Sequence, residues 1–483
     1  MPIRLSPGTI SGIATFVLLQ AIAARADAQA MTLGGFLGFA SAVGDVTGDG
    51  RADYATQQSL SGVITWQVRD GTTGALVSYL ATPWATLDRF FGVGDVNGDG
   101  QDDVCWFQNA MQQSTIRSGA DGSTVLSLAS STVEGGADID GDGLGDLLVT
   151  TIGPGGSADT WIRSSRTGTS LFSYLWSTSS GLVSNHWVVL GDENGDGFDD
   201  AGIASSSYSG GASLGLLVHG PDGSQTALGL MGGEPCGDVD GDGATDVLAN
   251  FNAGFNPFPY VLAGGSHATI WSLAPGQTIH GVGDVDGDGH VDLAVITVSP
   301  ASTAVYSGAT HLPLAGVLTA QPIPLGDLDG DGRVECSVNG VRCEWVDPAV
   351  PIASRMLRRG HGGTTSSGRK PTIVTRGHCG LGHTIWFDLR GNEPNSLVAF
   401  AFGDAVDIDL ASLGAPGNRS YTTVVDAIPL LADAHGVVTR SVVMPVAPAL
   451  LGVGTSVQAA TFDPAANALG LVTSNAIDLE RWN

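Results

Sequence analysis

The chain has 483 residues, of which 14% are charged and 71 are glycine, and its formal net charge is −28. Low charge, abundant glycine and short apolar runs exclude a helical or a disordered protein and point to β structure with many turns. The acidity argues against nucleic acid and anionic membranes as partners, and five cysteines are too few for a disulfide-built scaffold of this length.

Residues 1–30 read as a cleaved export signal. Arg4 lies in a short basic start, Ile10 to Ala24 is mostly apolar, and Ala28-Gln29-Ala30 supplies the small residues that signal peptidase accepts. The apolar stretch is short for a membrane anchor. No later segment is long and apolar enough to span a bilayer, so the expected mature protein begins near Met31 and is secreted, at the cell surface or periplasmic.

From residue 31 to 346 the chain repeats. The pattern D-x-[DNT]-x-D-G-x-x-[DE] occurs seven times, starting at Asp45, Asp95, Asp138, Asp192, Asp238, Asp284 and Asp327, with steps of 50, 43, 54, 46, 46 and 43 residues. That period suits one four-stranded antiparallel blade with its turns. A run such as Phe91-Gly92-Val93-Gly94 precedes most copies, and an apolar run such as Asp292-Leu293-Ala294-Val295 follows, which reads as strand, loop, strand. Arg69-Asp70-Gly71, Arg117-Ser118-Gly119, His219-Gly220 and Tyr306-Ser307-Gly308 mark hairpin tips between third and fourth strands. The predicted fold is all-β: a seven-bladed β-propeller over 31–346, a linker over 347–370 and a small β-sandwich over 371–483. The seventh unit lacks an outer strand, and either Met31 to Phe36 or residues 349–354 are expected to fill the gap.

Each loop carries oxygen ligands at positions 1, 3, 5 and 9. In the first four loops these are Asp45, Thr47, Asp49 and Asp53; Asp95, Asn97, Asp99 and Asp103; Asp138, Asp140, Asp142 and Asp146; Asp192, Asn194, Asp196 and Asp200. The last three supply Asp238, Asp240, Asp242 and Asp246; Asp284, Asp286, Asp288 and Asp292; Asp327, Asp329, Asp331 and Glu335. Glycine at position 6 permits the reversal that lets position 7 offer a carbonyl. An acidic cage of oxygens alone suits Ca²⁺; Zn²⁺ calls for Cys or His, which these positions lack. Up to seven calcium ions are expected. Position 12 is not acidic and a strand pattern follows, so the loop is not an EF-hand. Twenty-five of the acidic residues occupy these positions, so nearly all of the net charge sits in clusters that repel unless a cation neutralises them. Thr47 makes the first loop the weakest expected site.

The string FGVGDVNGDGQDDV, with its relatives, resembles the FG-GAP (or VCBS) repeat of integrin α-subunit propellers and many secreted bacterial proteins, over about residues 31–346. The resemblance implies a seven-bladed propeller with calcium in its loops. It implies no single function, because members adhere, bind sugars or carry separate catalytic modules.

Arg355 to Gly368 reads as a linker. From Pro371 onward, apolar runs at Thr384 to Leu389, Leu397 to Phe402, Val437 to Val446 and Ser456 to Phe462 form a sandwich pattern. The strings DIDLASLGAPG and VQAATFDPAANALGLVTSNA resemble a C-terminal module of exported bacterial proteins, to which no chemistry attaches.

No constellation marks an enzyme. Gly211-Ala212-Ser213-Leu214-Gly215 has the spacing of a hydrolase elbow but lies between blade strands. His361, His378, Cys379 and His383 lack recognised metal spacing. Arg69, Arg117 and Arg163 read as turn residues, and Cys336 and Cys343 as a cross-strand disulfide about Asn339-Gly340. Strand alternation places the 2–3 and 4–1 connections on the face opposite the loops, with Trp84, Trp176, His186, Trp187 and Tyr208 as candidate ligand residues. The expected function is a calcium-stabilised recognition or adhesion scaffold for a protein or carbohydrate. A calcium-dependent polysaccharide lyase, with His186 and Tyr208 as candidate bases, and a purely structural surface protein stay open as alternatives.

Overall fold

The computed structural model describes residues 29–36, 39–60, 63–83, 88–152, 158–176, 183–207, 216–227, 231–252, 257–297, 302–314, 318, 320–328, 332–339, 341–346, 354–377, 379, 384–447 and 453–481. It is all-β. Among the described residues the helical content is a single turn, Ala411–Leu413.

Residues 29–346 build successive small antiparallel sheets. The first pairs Phe39–Gly44, Asp53–Leu60, Val63–Arg69 and Leu76–Pro83 in that order, and the second Arg89–Gly94, Asp103–Gln108, Gln113–Arg117 and Thr124–Ala129. The third holds Ser131–Ala137, Asp146–Ile152, Ala158–Arg163 and Ser170–Trp176; the fourth Val183–Gly191, Asp200–Ser207, Leu216–Val218 and Gln225–Ala227. The fifth holds Met231–Gly237, Asp246–Asn252, Pro257–Leu262 and Thr269–Ser272. The sixth has three strands, Gln277–Gly283, Asp292–Thr297 and Ser302–Tyr306, with single bridges to Pro313 and Leu318 where a fourth would run. In the seventh, Ile323–Gly326, Glu335–Val338 and Val341–Val346 are completed by Gln29–Phe36, which pairs antiparallel to Val341–Val346. The N-terminal segment therefore fills the gap. It starts at Gln29, within the expected processing motif, whereas residues 1–28 lie outside the described residues.

Each acidic nonapeptide spans the turn from a sheet's first strand to its second, which begins at position 9. The loops are tied to one another by backbone. The N–H of position 8 donates to the carbonyl of position 1 in the preceding loop: Asp102 to Asp45, Gly145 to Asp95, Asp199 to Asp138, Thr245 to Asp192, Val291 to Asp238 and Val334 to Asp284. Ala52 donating to Asp327 at 3.0 Å closes the cycle. The first strands of neighbouring sheets also pack together all the way round, that of the seventh against that of the first.

Alternate residues of the strands face the neighbouring sheet, and the apolar core lies in these interfaces. Val43, Ala55, Trp66 and Val68 meet Phe90 and Val104; Val93, Cys105 and Ile116 meet Val133, Leu147 and Val149. Between the third and fourth sheets Ile162 meets Trp187, Ile203 and Val218. Each fully buried side chain of this size contributes about 1.5–3 kcal/mol. Trp187 is 1% exposed with its ring edge-on to Phe172, so it is a core residue and not part of a ligand face.

Cys336 and Cys343 are register partners, yet both are free thiols. Cys336 Sγ turns to the Val282 carbonyl at 3.9 Å and Cys343 Sγ to that of Val341 at 3.5 Å. With the sulfurs aimed at different acceptors inside an apolar interface, the expected disulfide is not formed.

The C-terminal residues form a five-stranded sheet in the order Ser354–Arg359, Leu471–Arg481, Thr455–Phe462, Leu397–Gly403 and Asp426–Leu431, and a three-stranded sheet of Thr372–Gly377, Thr384–Arg390 and Val438–Val443. One core joins them: Ile373, Ile385, Phe387 and Leu389 against Val398, Phe400, Val457, Ile477 and Leu479. The expected linker is corrected here. Ser354–Arg359 is an edge strand paired with Leu471–Arg481, because its backbone groups find partners there.

Candidate metal centres in the acidic loops

Within every loop the chain is folded by its own carboxylates. The side chain of position 1 accepts the N–H of the position 6 glycine in all seven, from Gly50 on Asp45 at 2.8 Å to Gly332 on Asp327 at 2.9 Å. Those glycines have φ near +90°, such as +92° for Gly50 and +89° for Gly143, a conformation that L side chains rarely adopt. Position 9 joins the loop to its sheet's hairpin tip. Its other oxygen accepts an N–H from Gly71, Gly119, Ser165, Gly220, Gly264 or Gly308 in the first six sheets. In the seventh, Arg342 takes the missing tip's place, pairing with Glu335 at 3.0 Å and donating to the Gly71 carbonyl.

In three of the loops the carboxylates of positions 1, 3 and 9 converge, and position 5, which the spacing also placed there, does not join these groups among the described residues. Oxygens of Asp138, Asp140 and Asp146, of Asp238, Asp240 and Asp246, and of Asp284, Asp286 and Asp292 each lie within 4.8 Å of one another. Burial, reinforced by neighbouring carboxylates, pushes Asp45 up to about 6, Asp103 and Asp246 to about 7, Asp238 to about 6 and Asp284 to about 8. Asp138, Asp146 and Asp292 are raised well above the usual carboxylate range for the same reason. Two oxygens at position 3, Thr47 Oγ1 and Asp140 Oδ1, are buried and have no hydrogen-bond partner. A hard cation with six to eight oxygen ligands fits this donor set.

The loops differ in detail. Asn97 donates its amide to Asp99 at 2.8 Å and Asp103 at 3.2 Å, and Asn194 donates to Asp196 at 3.0 Å, so amides crosslink the carboxylates where position 3 is not acidic. Arg166 holds Asp142 at 2.6 Å. Asp329 and Asp331 lie outside the described residues.

The C-terminal module packs on the first five loops, which nothing in the sequence pattern announced. Arg390, 4% exposed, grips Asp199 with both terminal nitrogens at 2.9 and 3.0 Å. Gly391 N–H donates to the Gly141 carbonyl at 2.9 Å. A Cβ on Gly50 would fall 1.8 Å from the Arg358 carbonyl oxygen, and one on Gly143 2.1 Å from that of Lys370. His361 packs on Gly100, Trp386 on Gly243 and Thr439 on Gly197. Position 6 glycines thus make room for the module as well as for the turn.

The other candidates separate. Trp84, Tyr208, His378, His383 and Gly211 to Gly215 lie outside the described residues, and for Trp176 and His186 only the backbone is described. Cys379 is buried in the C-terminal core. Arg69 and Arg117 brace their own hairpins by donating to the carbonyls of Gly74 and Gly122. A cavity of about 700 Å³ runs along the first strands of the first three sheets, lined by Ser41, Trp66, Asp88, Arg89 and Glu134 among others. Arg89 faces Glu134 at 3.9 Å, and buried Asp88 accepts from Trp106 Nε1 and Asn109 N. Sequence reading missed it, since these residues come from three repeats.

No family model matches the chain, and no curated protein does. Solved structures that resemble the chain remotely include two enzymes. A rhamnogalacturonan lyase of Bacillus licheniformis is 14% identical over 73% of this chain and 70% of its own, with a TM-score of 0.36. Dihydro-heme d1 dehydrogenase NirN is 11% identical over 84% of this chain and 75% of its own, with a TM-score of 0.39. At these scores neither bears on activity. No helix among the described residues is long and apolar enough to cross a membrane.

Proposed function

We propose that residues 29–346 are a seven-bladed propeller of the FG-GAP type, that its acidic loops hold structural calcium, and that the C-terminal residues are a β-sandwich capping the loop face. The reading is of an exported recognition scaffold. What carries it is the convergence of carboxylates at positions 1, 3 and 9, with position 9 buried in each group and an orphaned oxygen at Asp140 where a ligand belongs. Calcium would be held by positions 1, 3, 5 and 9 and would offset the repulsion among them.

With the first five loops covered, recognition falls to the other end of the ring. There the cavity beside Asp88, Arg89 and Glu134 offers an ion pair and hydrogen-bond acceptors next to the Trp66 ring. Such a mixture of charged groups and an aromatic suits a carbohydrate or a polar protein segment. A glycan array with the calcium-loaded protein tests this: binding lost in Arg89→Ala is expected. Release of unsaturated products from acidic polysaccharides would instead establish a lyase.

A further inference from the structure

We infer that Glu193, Asp200 and His219 form a second kind of metal site, sharing Asp200 with the fourth calcium loop and selective for a borderline ion such as Zn²⁺. The fourth loop departs from the others at position 2. Val46, Val96, Ile139, Val239, Val285 and Leu328 occupy it elsewhere, all buried, whereas here Glu193 is buried at 0% exposure. A carboxylate in an aliphatic position costs several kcal/mol unless it is satisfied.

Only half of it is satisfied. Glu193 Oε1 accepts from Gly265 N at 3.0 Å and sits 2.8 Å from His267 Nε2, both on the hairpin tip of the fifth sheet. Glu193 Oε2 is buried and has no hydrogen-bond partner. It lies 3.9 Å from His219 Nδ1, which is 3.5 Å from Asp200 Oδ1. His219 stands at the hairpin tip of the fourth sheet, where Ser118, Ser164 and Ser307 stand in others. Its Nε2 is 3.1 Å from Thr226 Oγ1. With Nε2–H donating there, Nδ1 turns its lone pair toward the two carboxylates and the Asn194 amide, 3.4 Å away, which an ion would displace, the arrangement of a metal-bound imidazole held by an outer partner.

Ligand atoms about 2.0–2.2 Å from a tetrahedral ion stand roughly 3.3–3.6 Å apart; the 3.5 and 3.9 Å separations from His219 Nδ1 are at or near that range, and ligand atoms of all three residues lie within 4.8 Å of one another. One nitrogen and two carboxylates fit Zn²⁺, Co²⁺ or Ni²⁺ better than Ca²⁺. His267 and Gly265 orient Glu193, as second partners of metal ligands do. The side chains of His219 and His267 are 13% and 25% exposed, so an ion has access from solvent. The ion would pin the fourth loop to the hairpin tip of its own sheet and, through Glu193, to that of the fifth.

The test uses the full chain, stripped with EDTA and then saturated with calcium, titrated with Zn²⁺ in a calorimeter and with Co²⁺ by visible absorption. One Zn²⁺ equivalent that excess calcium does not displace is expected, with Co²⁺ giving ligand-field bands. Glu193→Val restores the residue type of the other loops and should fold, yet weaken Zn²⁺ binding at least tenfold; His219→Ser should do the same. Failure of the wild type to bind Zn²⁺ in the presence of calcium would overturn the inference. So would unchanged affinity in a folded Glu193→Val protein; in either case the cluster is only a buried ion pair with a protonated His219.

Discussion

Removing calcium should lower the melting temperature by roughly 15 °C. The three loops with an aspartate at position 3 and all their carboxylates described each bring three oxygens within 4.8 Å. Free calcium at 100 times its dissociation constant stabilises the folded state by about 2.7 kcal/mol per site, hence about 8 kcal/mol over these loops. For a domain of this size 1 kcal/mol moves the midpoint by about 2 °C. The assay is differential scanning calorimetry of the full chain at pH 7.5, with calcium and after chelation. Magnesium should not restore the loss, because it demands a tighter octahedral site than these loops offer. A shift below about 3 °C, with the metal shown to be gone, would refute the assignment of calcium as a structural element.

Other outcomes follow from the same geometry. In the metal-free protein the raised carboxylates, Asp45 at about 6, Asp103 at about 7 and Asp284 at about 8 against the ordinary 3.8, hold protons that the unfolded chain has released. Their stabilisation is full below pH 4 and is lost as pH rises through 6 to 8. Chelated protein should therefore melt higher at pH 5 than at pH 8, and calcium-loaded protein the reverse, by scanning fluorimetry. Arg390→Met leaves Asp199 in the module interface without its partner and should cost about 3 kcal/mol by urea unfolding, largely recovered by adding Asp199→Asn. Gly143→Ala places a methyl against the Lys370 carbonyl at φ +89°, and a loss of at least about 2 kcal/mol with loosened docking, read as a larger radius of gyration by X-ray scattering, is expected.

The loops were legible because their chemistry is local. Nine residues hold every ligand, the turn glycine and the start of the next strand, so Asp138 to Asp146 reads without knowledge of the rest. Hairpin tips such as Ser118-Gly119 were legible for the same reason. Closure was only half legible: the pairing of Gln29–Phe36 with Val341–Val346 joins segments some three hundred residues apart, and two segments were candidates. Docking of the C-terminal module left no periodic trace, since Arg390, Trp386 and Lys370 carry no spacing that names Asp199, Gly243 or Gly143 as partners. Trp187 was misplaced because its exposure depends on Phe172 of the neighbouring sheet. Glu193 did leave a signal, as the one acidic residue in a column of aliphatic ones, and comparing that position across the repeats would have found it.

The central claim is that cations occupy the ring of acidic turns, and titration calorimetry of the stripped protein with calcium addresses it most directly. Three or more tight equivalents per chain are expected, up to seven, with one lost when Asp284 becomes alanine. Binding of no calcium at neutral pH would contradict the account.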